Sequence, residues 1–138
     1  MAEESGLVFN PHPERVPNSR RALELSEWAR TFGGDAHERI HDTIMDAYWV
    51  DARDITAWEV LETATTAAGL DPISGRLAVE SGDFARAVDQ STNWAHQHRI
   101  SGVPAFIIDS RFLVSGAAPH EAFEQALAQT AQARAAAT

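Results

Sequence analysis

The chain has 138 residues, 44% of them hydrophobic, a formal charge of −9 and no cysteine. Zero cysteine excludes disulfides, cysteine zinc sites, iron–sulfur ligation and thiolate nucleophiles from these residues in one step. All eleven basic side chains are scattered arginines, so there is no positive surface with which to displace counterions from a nucleic acid or an anionic membrane. No apolar run approaches the ~20 residues that cross a bilayer. The opening Met1-Ala2-Glu3-Glu4-Ser5 is not followed by the apolar core of a secretory signal, which leads to the expectation of a cytoplasmic protein.

In chain order, Gly6–Phe9 is short and apolar and predicts a strand within residues 6–10, ended by Asn10-Pro11-His12-Pro13, because two prolines remove backbone donors and hold an extended path. After Pro17-Asn18-Ser19, the residues Ala22, Leu25, Trp28, Ala29 and Phe32 recur at three and four and predict a helix stopped by Gly33-Gly34. Asp35 is placed to cap a second helix reaching Trp49, with Ala36, Ile40, Ile44, Ala47 and Tyr48 facing inward. Asp54 or Thr56 starts a third helix, Thr56-Ala57-Trp58-Glu59 having the spelling of a capping box; it buries Val60, Leu61, Ala64 and Ala68 and ends at Gly69. Asp71-Pro72 opens a short fourth helix. Gly82-Asp83 opens a fifth reaching His98, its inward residues being Phe84, Ala87, Val88, Trp94 and Ala95.

The texture then changes. Pro104–Asp109 and Phe112–Ser115 predict a β-hairpin turning at Ser110-Arg111, and Gly116 ends it. A last helix from Pro119 or His120 is expected to turn Phe123, Leu127 and Ala131 inward and to fray along its alanine-rich tail. No internal repeat and no long linker interrupts the chain. The four tryptophans, Trp28, Trp49, Trp58 and Trp94, read as helix-packing residues and not as a cofactor box.

The most informative stretch is Ile100-Ser101-Gly102-Val103-Pro104-Ala105-Phe106-Ile107-Ile108-Asp109. A Gly-Val-Pro step leading into an apolar strand resembles the cis-proline loop of thioredoxin folds. An X-Pro bond adopts cis at modest cost where other peptide bonds do not. The backbone of Val103 would then be presented to an extended peptide as a short strand, and Gly102 would permit close approach. The hairpin, Val114-Ser115-Gly116-Ala117 and the helix from Pro119 follow in thioredoxin order. Upstream, Asn18-Ser19-Arg20-Arg21-Ala22, Ala47-Tyr48-Trp49, Asp54-Ile55 through Val60-Leu61, and Ala68-Gly69-Leu70-Asp71 resemble the helical insertion of the FrnE-like and 2-hydroxychromene-2-carboxylate isomerase-like branch of the DsbA-like family. The resemblance runs from about Gly6 to Ala128. It implies an α/β, incomplete thioredoxin-like fold: a strand at 6–10, a helical insertion over 18–99 and a β-β-α unit over 100–138.

In that family a strand and a helix bearing Cys-x-x-Cys, or an activating serine in glutathione-using relatives, come first. No position here inherits the nucleophile. The resemblance therefore implies an oxidoreductase by family with no catalytic residue in this chain, and a non-catalytic binding or scaffold role or one half of a split enzyme. Its binding residues would be Ser101, Gly102, Val103 and Pro104, taking a peptide or a thiol ligand, with no cofactor. The alternative is an isomerase or transferase dependent on glutathione or another small thiol. By the same resemblance the absent strand would lie at the centre of the sheet, which leads to the expectation of a homodimer, a strand-swapped dimer, or a separate chain supplying that part, since unpaired strand edges invite partners.

A second motif competes. His37-Glu38-Arg39-Ile40-His41 matches H-E-x-x-H, which on a helix sets His37 and His41 on one face to hold zinc, with Glu38 activating a water. A third ligand would have to come from Glu59 or Glu62. The plainer reading is two histidines flanking the Ile40/Ile44 core stripe. His96 and His98 lie just before the proline loop and read as polar residues closing a helix. Ser101 has no base–orienter pair nearby to make it a nucleophile.

Overall fold

The computed structural model describes residues 6, 8–10 and 16–136. Among them the chain forms six helices and two strands: α1 Arg20–Arg30, α2 Ala36–Trp49, α3 Trp58–Ala67, α4 Pro72–Glu80, α5 Ala85–Gln97, β1 Ala105–Ile108, β2 Phe112–Ser115 and α6 His120–Ala135. It packs as two compact units, Met1–Ser91 and Thr92–Thr138, with the division inside α5.

The first unit is a helical core. Ala22, Leu25, Trp28 and Ala29 of α1, Ile40 and Ile44 of α2, Val60, Leu61 and Ala64 of α3, and Val79 of α4 are buried together. Each recurs at three or four residues, so one stripe of each helix faces the common centre. Burying a side chain such as Leu25 or Leu61 contributes roughly 1.5–3 kcal/mol. Gly75 of α4 sits where a Cβ would lie 2.9 Å from Leu25 Cδ1 and 3.0 Å from Trp28 Cζ3; hydrogen at this position lets α4 approach α1.

Several local expectations are corrected. Phe32 is exposed, because α1 stops at Arg30 and the turn carries the ring onto the edge of Trp28, 4.9 Å between centroids. The capping box does not form: α3 begins at Trp58 after Ala57, and the Asp54 carboxylate takes the Thr56 N–H at 2.9 Å and its hydroxyl at 2.7 Å instead. Asp35 makes no cap bond; its carboxylate pairs with Arg39. Asp71 does cap α4, accepting from the Ser74 N–H at 3.0 Å. At the other end of the unit, the Arg20 guanidinium bonds Glu24 at 2.6 Å, Asp89 at 2.5 Å and the Ala85 carbonyl at 3.1 Å, tying the first turns of α5 to α1.

The strand expected over 6–10 is not formed by its described residues. Val8, Phe9 and Asn10 lie outside any strand; Asn10 N–H donates to the Trp49 carbonyl at 2.7 Å and Phe9 stacks on the Trp49 ring. Leu7 and the Pro11–Pro13 stretch of the same reading lie outside the described residues.

The second unit is the hairpin and its closing helix. β1 and β2 pair antiparallel with Ala105 opposite Ser115 and Ile108 opposite Phe112. The turn is made one residue earlier than expected: Asp109 and Ser110 both have positive φ, 54° and 55°, the arrangement whose twist suits a hairpin. Phe106 meets Phe123 of α6 edge-to-face at 5.0 Å. By alternation, Phe106 and Ile108 with their partners Val114 and Phe112 share the face toward α6, and Ile107 and Leu113 share the other. Helix α6 turns Ala126 and Thr130 inward, with Phe123 half-buried; Leu127 and Ala131 are exposed. Beyond Phe123 the inward stripe is thus one position ahead of the expected one, spaced three and then four residues on.

Candidate functional site at the proline loop

The loop at residues 100–104 is positioned by how α5 ends. Arg99 adopts a left-handed φ of 56°. Its N–H bonds the His96 carbonyl at 3.0 Å, and the Ile100 N–H bonds the Ala95 carbonyl at 2.9 Å. This double closure satisfies the last helical carbonyls and reverses the chain. His98 Nδ1–H donates to the Trp94 carbonyl at 2.8 Å, and its ring stacks on the Trp94 indole at 4.2 Å. Trp94, expected inside, is therefore half exposed.

Ser101, Gly102, Val103 and Pro104 follow, all exposed, Val103 at 91%. The Val103–Pro104 peptide is cis. The Pro104 carbonyl accepts the Gly116 N–H at 2.7 Å, which ties the loop to the end of β2. The backbone N–H and C=O of Val103 make no hydrogen bond among the described residues. Gly102 has nothing within 4 Å of the position a Cβ would take among the described residues, so the close approach expected there is not made by them. The structure thus gathers the four sequence-predicted residues on one exposed edge leading into β1. Among the described residues, no acidic or basic side chain hydrogen-bonds or ion-pairs with them.

The histidines of the competing motif are placed differently. His37 Nδ1 is 2.9 Å from the Ser26 carbonyl, and its Nε2 is 3.0 Å from Arg30 Nη2. A carbonyl only accepts and a guanidinium only donates, so Nδ1 carries the proton and Nε2 receives a bond. Both ring nitrogens are engaged in joining α1 to α2. The His41 ring lies 6.4 Å from the His37 ring, with its Nδ1 3.7 Å from Asp42. Glu59 pairs with Arg53 at 3.5 Å and Glu62 with Arg76 at 3.2 Å. Among the described residues no three potential ligands converge on a metal position.

With the geometry in view, the chain matches the family model of the DSBA-like thioredoxin domain over residues 1–128. The chain belongs to the DSBA-like thioredoxin family. No curated protein matches it. The mixed α/β fold, with a helical segment ahead of a hairpin and closing helix, is that of a DSBA-like domain with a helical insertion, and this DSBA-like domain contains no cysteine. No helix among the described residues is long and apolar enough to cross a membrane.

One feature of the first unit was not legible as a motif: a cleft of about 220 Å³ lined from α2, the following loop and α3. Its polar residues, Thr43, Asp46, Asp51, Arg53 and Thr63, carry no recognisable spacing. The only sequence signal is that Asp46 and Asp51 bracket the end of a helix.

Proposed function

We propose that this DSBA-like domain is a non-catalytic binding module that presents the Ser101–Pro104 loop to an extended peptide. One observation carries the reading: Val103 is exposed just ahead of β1 and its backbone makes no hydrogen bond among the described residues, in a family member without cysteine. A strand laid beside this loop would gain main-chain hydrogen bonds, with the Val103 side chain offering apolar contact. β1 has β2 on one side only, the sheet being two-stranded among the described residues. A second copy, or a separate chain supplying a strand from outside these residues, would satisfy the other edge by the same chemistry.

The test uses the full chain. A reduced and alkylated unfolded protein, which offers extended segments without free thiols, is titrated while the backbone amides are followed by NMR. Shifts centred on Ser101, Gly102, Val103 and Ala105, lost in Val103→Pro because that substitution removes the N–H donor, are expected. Insulin reduction and dithiol oxidation by the pure chain stay at the buffer level. Redox turnover above buffer, or amide shifts that avoid residues 101–105, overturns the reading.

A further inference from the structure

We propose that the outer edge of β1 binds an extended peptide whose apolar centre is flanked at each end by an acidic residue. The proposal rests on the peptide-binding reading above and names the class of peptide. The phase of the hairpin ladder fixes the edge. The Gly116 N–H donates to the Pro104 carbonyl at 2.7 Å, and hydrogen-bonded pairs alternate along an antiparallel ladder. Phe106 with Val114 and Ile108 with Phe112 are therefore the bonded pairs, and Ala105 and Ile107 turn their N–H and C=O groups away from β2. On that side β1 has no strand among the described residues. Val103, whose backbone makes no hydrogen bond among them either, continues the row. An extended chain thus meets three residues whose main-chain groups are open to it. Ile107 and Leu113, opposite one another and exposed, give the same edge an apolar face.

Charge selects the occupant. Thr92–Thr138 hold Asp109, Glu121 and Glu124 against Arg99, Arg111 and Arg134, so the negative charge of the chain lies in the first unit. Arg99 and Arg111 are exposed and make no ion pair among the described residues; Asp109, within reach of the Arg111 charge, is already bound by Arg134. These two arginines bracket the open edge. Arg99 follows the end of α5, within about 14 Å of extended chain from Val103. The Arg111 N–H bonds the Ile108 carbonyl at 3.1 Å, which holds that residue in the turn at the far end of β1. Antiparallel pairing of β1 with a second copy would bring the turn of each hairpin beside the α5 end of the other, and so Arg111 toward Arg99, like charge to like charge. A basic peptide meets the same repulsion. A peptide with a carboxylate at either end, and β-branched residues between them to cover Ile107 and Leu113, answers both the charge and the apolar face.

The experiment titrates the full chain with the capped peptide Glu-Thr-Val-Thr-Val-Thr-Glu and with its counterparts carrying glutamine or lysine at both ends, following backbone amides by NMR. The glutamate peptide is expected to shift the amides of Val103, Ala105 and Ile107 and to bind about five- to tenfold more tightly than the glutamine peptide, the worth of two exposed ion pairs. The lysine peptide is expected to bind more weakly again. The advantage of glutamate over glutamine should vanish in high salt and in Arg99→Gln with Arg111→Gln, while the shifts themselves remain. The salt series alone decides the point if the double variant fails to fold. Equal binding of the peptides at these amides overturns the acidic preference and leaves the peptide-binding reading standing; no shift at residues 101–107 by any of them overturns both. A dimer in sedimentation, with the Ala105 and Ile107 amides protected from exchange before peptide is added, overturns the proposal in favour of a second copy.

Discussion

At the scale of single residues, small atoms and single hydrogen bonds decide what the chain tolerates. Gly75 is the sharpest case. Alanine there gains helix propensity worth up to ~1 kcal/mol, but its methyl would press on Leu25 and Trp28, which are 1% and 6% exposed and cannot swing aside. Overpacking of that kind costs about 1–3 kcal/mol. Gly75→Ala is therefore expected to destabilise the protein by about 1–2 kcal/mol, read as a lower urea midpoint at unchanged slope; a rise in the midpoint would show that α4 slides away from α1 at little cost. His37 illustrates the same scale in the other direction. Its motif suggested a metal ligand, and its two nitrogens are used instead by the Ser26 carbonyl and Arg30 of the preceding helix.

At the scale of elements, charge pairs fasten helix ends whose apolar contact is thin. Only Val88 of α5 is buried, and Arg20 binds the start of that helix through Asp89 and the Ala85 carbonyl. The hydrogen bond from Arg20, and then its charge, hold the Asp89 carboxyl below the ordinary carboxylate range, with desolvation opposing. The sign follows from the linkage. A carboxyl depressed in the folded state adds stability that is whole above its ordinary pKa, near ~3.9, and is lost as pH falls through the folded value. Asp71, depressed by its bonds from Ser74, and Asp35, by Arg39, act in the same direction. Unfolding free energy measured from about pH 6 to pH 2 at low salt should fall on the acid side, with a shallower fall in Asp89→Asn. An identical slope in the two proteins would mean the pair does not persist in solution. Because both partners are largely exposed, the difference should also shrink in high salt.

At the scale of the whole molecule, apolar burial is unequal. Twelve buried residues form one cluster in the helical unit, whereas among the described residues of Thr92–Thr138 the only buried hydrophobic residue is Ala126. A two-stranded hairpin under one helix is a marginal assembly. Native-state hydrogen exchange should therefore show the β1 and β2 amides exchanging at least about tenfold faster than those in the centres of α1 and α3. Equal protection would mean that the hairpin opens only with the helical core. A peptide bound at residues 101–104 should slow exchange in β1 first, which ties this measurement to the proposed binding role.

The sequence by itself determined the core stripes of α2 and α3, most of that of α1, the hairpin and the family. Repeats at three and four place Leu25, Ile40 and Leu61 inside whatever else the chain does, and the absence of cysteine forbids dithiol chemistry by these residues without reference to any fold. Features that depend on local backbone chemistry were partly legible: Asp71 capped its helix, whereas Thr56 did not, because α3 starts only at Trp58 with Ala57 in the cap position and Thr56 donates to Asp54 in the turn before it. Only the tertiary structure decided that His37 bridges α1 and α2, that Gly75 is a contact point, that α6 turns Ala126 and Thr130 inward, and that Asp46 and Asp51 share a cleft with the Val60–Ala64 face of α3. Each of these is a meeting of residues distant in sequence. Periodicity reports which side of an element is apolar, but not which partner that side will meet.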